Sequence, residues 1–408
     1  PRVLNMYEDY PFWFTFLTDL GFRVIISEKT TRKTYEKGME SMPSESVCFP
    51  AKLSHGHIIS LIDQGIKTIF YPCMPFSRKE FKQADNKYNC PIVISYSEVL
   101  KNNVEELKEN NIKFLNPFLP FDPKTLAETI LDLPEFKEYN FTKKELIQAA
   151  KKAEKEYQNF KNDIRTKGRE ALEYMQKHNL KGIVLAGRPY HTDPFVSKNI
   201  SKMLAKKGIA VIPVDGLDKL NEQVLSNTRA EITNNFHTRM LSAAMIAAKT
   251  PELEYVQIVS FGCGHDAILS DEIIRIMNES GHKPPLILKV DESDATGALG
   301  IRIQSFIKSV QIRRGIKDEE FIKKHMYEEL KEPSPAKFYR KDKKIRTILV
   351  PNISVEVSKI LEGILEKENF KVKRIPIGST EQIKLGKKYV HNDICFPAQM
   401  VIGELIGE

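Results

Sequence analysis

The sequence predicts an α/β fold of two to three Rossmann-like parallel-sheet domains with an internal duplication, joined by helical connectors. Three observations carry this. Nearly all-apolar runs such as KTIFYPCMPF (67–76) and YVQIVSFGCG (255–264) alternate with helical stretches, the pattern of a parallel sheet covered on both faces. A phrase recurs, VCFPAK at 47–52 answering to ICFPAQ at 394–399, with Gly56 answering to Gly403. Between the apolar units lie charged stretches that read as connectors.

Taken in order, residues 1–135 read as a first α/β unit. VLNM (3–6) is a short strand, PFWFTFLTDLG (11–21) a helix closed by Gly21, and FRVIIS (22–27) a second strand. A loop leads to Cys48, two residues before Pro50, and proline is tolerated in a first helical turn. Cys48 therefore falls at the N-terminus of an apolar-striped helix that Gly65 ends. KTIFYPCMPF is a buried strand ending at Cys73, and NCPIVIS (89–95) is read as another strand entered at Cys90. Residues 136–179 form a helical connector, one long helix or a pair interrupted near Gly168, with Leu146, Ala150, Ala153, Tyr157 and Phe160 along one face.

A second α/β unit spans 180–312. KGIVLAG (181–187) is a strand, RPYHTDP (188–194) a loop, FVSKNISKMLAKKG (195–208) a helix and IAVIPVD (209–215) a strand. A helix rich in Ala and Met follows at 236–249, then the strand running into Cys263, a helix expected to start at Ser270, and the strand LILKVDE (286–292). A basic connector (313–344) precedes a third unit, 345–408, which starts to repeat the first with one residue of drift before its cysteine. The opening proline and the ending within a helix lead us to expect a segment of a longer polypeptide, its last unit truncated.

Composition narrows the classes. At 408 residues and 41% hydrophobic content the chain can fill ordinary cores, and no apolar run approaches the roughly 20 residues of a membrane helix. No signal peptide opens it, so a cytoplasmic protein is expected. The net charge of +8 is spread over helix faces without aromatic interleaving, which argues against nucleic acid. Five cysteines, an odd number, point to thiols or metal ligands rather than a disulfide framework.

Chemistry concentrates in three places. Cys48 at a helix start, Cys73 and Cys263 at strand ends and Cys90 beside Pro91 lie in loops that could converge on one iron–sulfur cluster; buried, inert thiols are the alternative. None of them has C-x₂-C spacing. Residues 262–267 (GCGHDA), with Asp291 on the next strand, match the dinucleotide pattern G-x-G-x-x-A, although a cysteine, His265 and an aspartate crowd the turn. In the loop 187–194, Arg188 could hold a carboxylate or phosphate and His191 could shuttle a proton, or an Arg–Asp pair could simply brace the turn. Arg188, His191 and His265 are the candidate catalytic side chains. His55 and His57 read as solvated or hydrogen-bonded rather than as ligands.

The phrases ESVCFPAKLSHGHI (45–58), IFYPCMPF (69–76), YNCPIVISYSEVLKNN (88–103), AGRPYHTDPFVSKNI (186–200) and SFGCGHDAILSDEI (260–273), with LKVDESDATGALGIRIQS (288–305), carry a family resemblance. The chain resembles the large CoA-substrate-specific enzyme activases (DUF2229 type), related to the 2-hydroxyacyl-CoA dehydratase and double-cubane cluster families. The resemblance implies Rossmann-like domains around a cysteine-ligated [4Fe–4S] or double-cubane cluster, a cofactor that aerobic handling can strip. It also implies low-potential electrons delivered by ATP-hydrolysing activator domains, in the same or a separate polypeptide, to a CoA thioester or another small acceptor. It carries over Cys48, Cys73 and Cys263 as ligands with Cys90 fourth, leaves the role of Cys395 open, and leaves room for a homodimer. No ATPase motif occurs in the chain. Two other classes stay open, a non-catalytic scaffold or zinc-binding module of a larger activase, and a dinucleotide-binding oxidoreductase domain using the turn at 262–267.

Overall fold

The computed structural model describes all residues except 83–86, 226–227, 229–233, 294–295, 316–337, 353 and 391–393, so most of the expected basic connector lies outside the described residues. The chain divides into two compact units, Pro1–Phe261 with Glu272–Tyr327, and Gly262–Asp271 with Glu328–Glu408.

The first unit holds two parallel sheets. The smaller pairs β1 (Thr68–Phe70) with β2 (Lys113–Leu115) in the register Ile69 to Phe114. Around it lie α1 (Met6–Asp19), α2 (Arg32–Lys37), α3 (Phe49–Asp63), α4 (Pro91–Asn103), α5 (Glu106–Glu109) and α6 (Pro123–Asp132). Phe12, Trp13, Phe49, Tyr71, Leu100 and Leu126 form its core. The expectation of an α/β fold with parallel sheets holds, and within it three elements differ.

Residues 3–6 form no strand: Leu4 takes φ +41 and the Met6 amide bonds to the Val3 carbonyl at 2.8 Å, turning the chain into α1. Residues 22–27 form no strand either; Ser27 instead receives the Arg2 amide at 2.8 Å, with Arg2 Nε on its carbonyl at 2.9 Å. NCPIVIS opens α4. Its β-branched run looks strand-like, but Cys90 at the N-cap and Pro91 at the first helical position start a helix, and Val93, Tyr96, Ser97 and Leu100 are its buried stripe.

The helix α7 (Lys143–Lys177) runs 35 residues without a break, opened by a Thr142–Glu145 capping box. Gly168 does not interrupt it; a Cβ there would stand 1.8 Å from the Gly216 carbonyl oxygen, so close backbone approach requires glycine. α7 packs on α1 and α6 and reaches the start of the second sheet.

That sheet has the order β4-β3-β5-β6: β3 (Gly182–Ala186), β4 (Ala210–Pro213), β5 (Leu253–Ser260) and β6 (Leu286–Val290), all parallel. Every residue of β5 is buried, as a central parallel strand requires. The helices are α8 (Ile200–Ala205), α9 (Asn235–Lys249), α10 (Gly264–Gly281) and α11 (Thr296–Gly315). Chain order reverses between β3 and β5, where doubly wound sheets collect ligands. α10 begins at Gly264 rather than Ser270, whose hydroxyl bonds inside the helix to the Asp266 carbonyl at 2.7 Å.

The second unit carries β7 (Thr347–Val350) parallel to β8 (Lys371–Arg374), with α12 (Val355–Lys367), α13 (Thr380–Tyr389) and α14 (Phe396–Gly407). Its last two helices repeat α2 and α3 of the first unit, whereas β7 and β8 answer to segments 3–6 and 22–27 that form no strand there. Capping boxes stand at Thr31–Thr34 and Ser379–Gln382, an offset of 348, whereas the capping cysteines Cys48 and Cys395 are offset by 347. The drift therefore lies in the loop between the two helices. A Cβ on Gly56 would fall 1.6 Å from the Thr34 carbonyl oxygen, and one on Gly403 1.9 Å from that of Gln382. Both copies thus cross two helices at backbone contact.

Candidate functional site

Three thiols of the first unit act electrostatically on one tyrosine. Cys48 caps α3 with extended backbone (φ −60, ψ 145) and Pro50 in the first turn, so its side chain stands at the positive end of the helix. Cys90 caps α4 in the same conformation (φ −67, ψ 153), and its sulfur accepts from the Val93 amide at 3.5 Å. Both are half-buried. Cys73 is fully buried, because the ladder continues past β1: the Tyr71 amide bonds to the Leu115 carbonyl at 2.8 Å and the Cys73 amide to that of Pro117 at 2.9 Å. Tyr71 and Cys73, two residues apart on an extended segment, therefore share a face.

The helix α4 ties these groups together. Ser97 Oγ lies 2.9 Å from Cys73 Sγ, and the Tyr96 hydroxyl lies 3.0 Å from His55 Nε2 on α3. Burial holds the Cys73 thiol above its ordinary pKa, against the lowering effect of Ser97. Burial also raises Tyr96, with Cys48 adding to it. The Tyr71 hydroxyl is held far above its usual value by burial first, then by Cys73, Cys90, Tyr96 and Cys48. All three sulfurs thus bear on one phenol, and that buried oxygen has no hydrogen-bond partner. Tyr71, Tyr96 and Ser97 escaped the sequence reading; the cue for Tyr71 was its place two residues before a cysteine in an apolar strand.

The histidines of α3 are engaged elsewhere. His55 Nδ1 lies 2.8 Å from Ser41 Oγ, and His57 is bonded to Ser27 Oγ (2.9 Å) and Thr30 Oγ1 (3.2 Å). Burial lowers them to about 4 and about 3, so both rings are neutral near pH 7. Among the described residues, no three His, Cys, Asp or Glu side chains are placed to grip one metal ion.

Cys263 stands in the turn between β5 and α10, and with His265 it belongs to the second unit. Cys395 caps α14 and is exposed. Arg188 and His191 open a cavity of about 680 Å³ at the carboxyl ends of β3 and β4. His191 Nδ1 accepts the Arg188 amide at 3.0 Å, which leaves its Nε2 as the donor to Ser260 Oγ at 3.2 Å. Arg188 Nη2 lies 3.3 Å from His237 Nε2. Asp193 braces the turn by accepting from Tyr7 and Thr30 at 2.8 and 2.7 Å and from the Phe195 amide at 2.8 Å.

A family model described as the CoA enzyme activase uncharacterised domain (DUF2229) matches residues 1–217, more than half of the 408. No curated protein matches the chain. The matched region contains Cys48, Cys73, Cys90, Arg188 and His191.

Proposed function

Since the chain belongs to the CoA enzyme activase DUF2229 family, we infer that it holds an iron–sulfur cluster through Cys48, Cys73 and Cys90 and carries low-potential electrons in an activase system. The observation that supports this is the buried, unpartnered Tyr71 hydroxyl with three thiols acting on it. A buried polar group without a partner can take one from a guest, and thiols are the donor set of such clusters. Among the described residues no single-ion site is formed, and ligands of a multi-iron cluster bind different iron atoms and stand farther apart than those of one ion.

When bound, the cluster supplies a one-electron store at low potential. The chain's own residues do the rest. The helix N-termini behind Cys48 and Cys90 would turn backbone N–H groups and the positive end of the dipole toward an anionic cluster. The full burial of Cys73 keeps water from that sulfur, and Ser97 holds its orientation. Tyr71 Oη is the donor available for a sulfur. Cys263 is proposed as the fourth ligand, ATP-hydrolysing activator domains as the electron source, and a CoA thioester or another small acceptor as the destination.

Anaerobic reconstitution with iron and sulfide, followed by iron analysis and electron paramagnetic resonance, tests this. Cys48→Ser, Cys73→Ser and Cys90→Ser should each lose iron, Cys395→Ser should not, and Cys263→Ser decides the fourth position. Full iron retention in a Cys73→Ser, Cys90→Ser double variant sinks the reading.

A second reading, a dinucleotide on the Gly262 turn, is favoured by one observation: α10 starts at Gly264, four residues after β5 ends, and Gly262 takes φ +79. It requires saturable NADH binding that Gly264→Val abolishes.

A further inference from the structure

A cavity of about 780 Å³ opens beyond the carboxyl ends of β1 and β2, lined by residues 75–81, 87 and 118–123 that follow those strands, by residues between 215 and 221, and by α7 and Arg239 of α9. This is the side on which parallel sheets take ligands, and the volume is that of a small-molecule site. Its carboxylates are all engaged. Glu80 is held by Arg239, Glu154 by Arg78 at 2.9 Å, and Asp215 by Lys161 and Arg239 at 3.2 and 3.3 Å. Asp122 accepts from the Thr125 amide at 3.0 Å as the cap of α6. Lys79, Lys87, Arg165 and Lys219 also line the cavity, and among the described residues no carboxylate pairs with them. Among the described residues the wall thus presents four cations without an ion-pair partner.

Rings stand beside those cations. Phe118 is 54% exposed and Phe76 46%, both at the mouth of the cavity. Lys87 Nζ lies 5.9 Å from the Phe76 ring centre, and Phe76 leans on Tyr88 at 4.9 Å between centroids. Apolar rings left at a cavity mouth among unpaired cations are the recognition elements for a planar base joined to phosphates.

We propose that this cavity binds a nucleoside diphosphate, its base on Phe118 and its phosphates on Lys79, Lys87, Arg165 and Lys219. The ligand chemistry is shared by free nucleotides and by the nucleotide portion of coenzyme A. The proposal does not depend on the cluster.

Calorimetric titration of the whole protein with ADP tests it, beside adenosine, pyrophosphate and coenzyme A. ADP should bind saturably, more tightly than adenosine or pyrophosphate. Phe118→Ala should weaken it roughly five- to hundredfold, the range of one lost stacking contact. Because that ring is more than half exposed, its removal leaves the core intact. Lys87→Ala with Lys219→Ala should weaken ADP and flatten its salt dependence, leaving adenosine unchanged. Coenzyme A displacing ADP supports the site and identifies the source of the nucleotide; coenzyme A failing to displace it supports a free nucleotide. The proposal is overturned by no ADP binding at millimolar concentration, by pyrophosphate binding as tightly as ADP, or by ADP binding that survives Phe118→Ala; its loss in Gly264→Val would then place the nucleotide on the Gly262 turn.

Discussion

Tyr71→Phe separates a tyrosine placed for a guest from one placed for packing. The side chain is fully buried and its hydroxyl has no partner. A buried polar group left unmade costs about 1–3 kcal/mol, and phenylalanine keeps the shape while deleting that cost. In metal-free protein the substitution should therefore stabilise by about 1–3 kcal/mol. For a unit of this size, with a urea slope near about 3 kcal/mol/M, the midpoint should rise by about 0.3–1 M. If the protein holds the proposed cluster and the hydroxyl donates to it, the sign should reverse in iron-loaded protein, since a hydrogen bond to a charged acceptor is worth about 1.5–3 kcal/mol. The reduced form, one charge more negative, gains more from that donor. If the gain differs by about 1 kcal/mol, its loss lowers the reduction potential by about 40 mV, at about 59 mV per tenfold for one electron. Urea unfolding of the metal-free pair and redox titration of the loaded pair are the assays. A Tyr71→Phe variant destabilised by more than about 1 kcal/mol without metal refutes the reasoning, and an unmoved potential at equal iron content removes Tyr71 from the site.

Further outcomes follow from the same geometry. Gly56→Ala and Gly403→Ala force a Cβ onto backbone oxygen at 1.6 and 1.9 Å and should cost at least the upper end of about 1–3 kcal/mol; Gly363→Ala, exposed in α12 with nothing within 4 Å, should gain up to about 1 kcal/mol in the same denaturation assay. Arg239→Met leaves Glu8 and Glu80 without the guanidinium that holds both and should cost about 3–5 kcal/mol by urea unfolding. His55 and His57 have folded pKa values below the unfolded 6.5, so their contribution is complete above pH 6.5 and lost as pH falls toward about 4 and about 3. Asp9, raised to about 6 by burial against the pull of Arg78, works oppositely: its contribution is full below about 3.8 and lost as pH rises through 6. Ring-proton NMR should accordingly show neither histidine titrating above pH 5.

The parts of the fold that could be read from sequence are those decided locally. The alternation of apolar strands with helices, the proline in the first turn after Cys48 and the repeated cysteine phrase each leave a mark within a few residues. What could not be read depends on partners far along the chain. Residues 22–27 have a strand composition but no neighbouring ladder, and the corresponding β8 is a strand because β7 lies beside it. NCPIVIS misleads because β-branched propensity is weaker than a cap plus a buried stripe. At the site, cysteines stand out by type. Tyr71 does not, since the quality that marks it, a hydroxyl without a partner, exists only once β1, α3 and α4 are packed.

The duplication also separates what the cysteine phrase does from what its surroundings do. In both copies the phrase builds the same object, a cysteine cap at ψ 145 or 148, proline in the first turn, and a glycine eight residues on that lets a second helix touch backbone to backbone. Phrase and helix crossing alone therefore make a capping thiol, and Cys395 in that setting is exposed. Cys48 has the same cap but lies half-buried, with the extended segment through Tyr71 and Cys73 and the helix α4 with Cys90, Tyr96 and Ser97 beside it. Those elements supply the other two sulfurs, the unpartnered hydroxyl and the exclusion of water from Cys73. What distinguishes Cys48 from Cys395 is thus the enclosure by β1 and α4, and the repeated phrase contributes one sulfur to it.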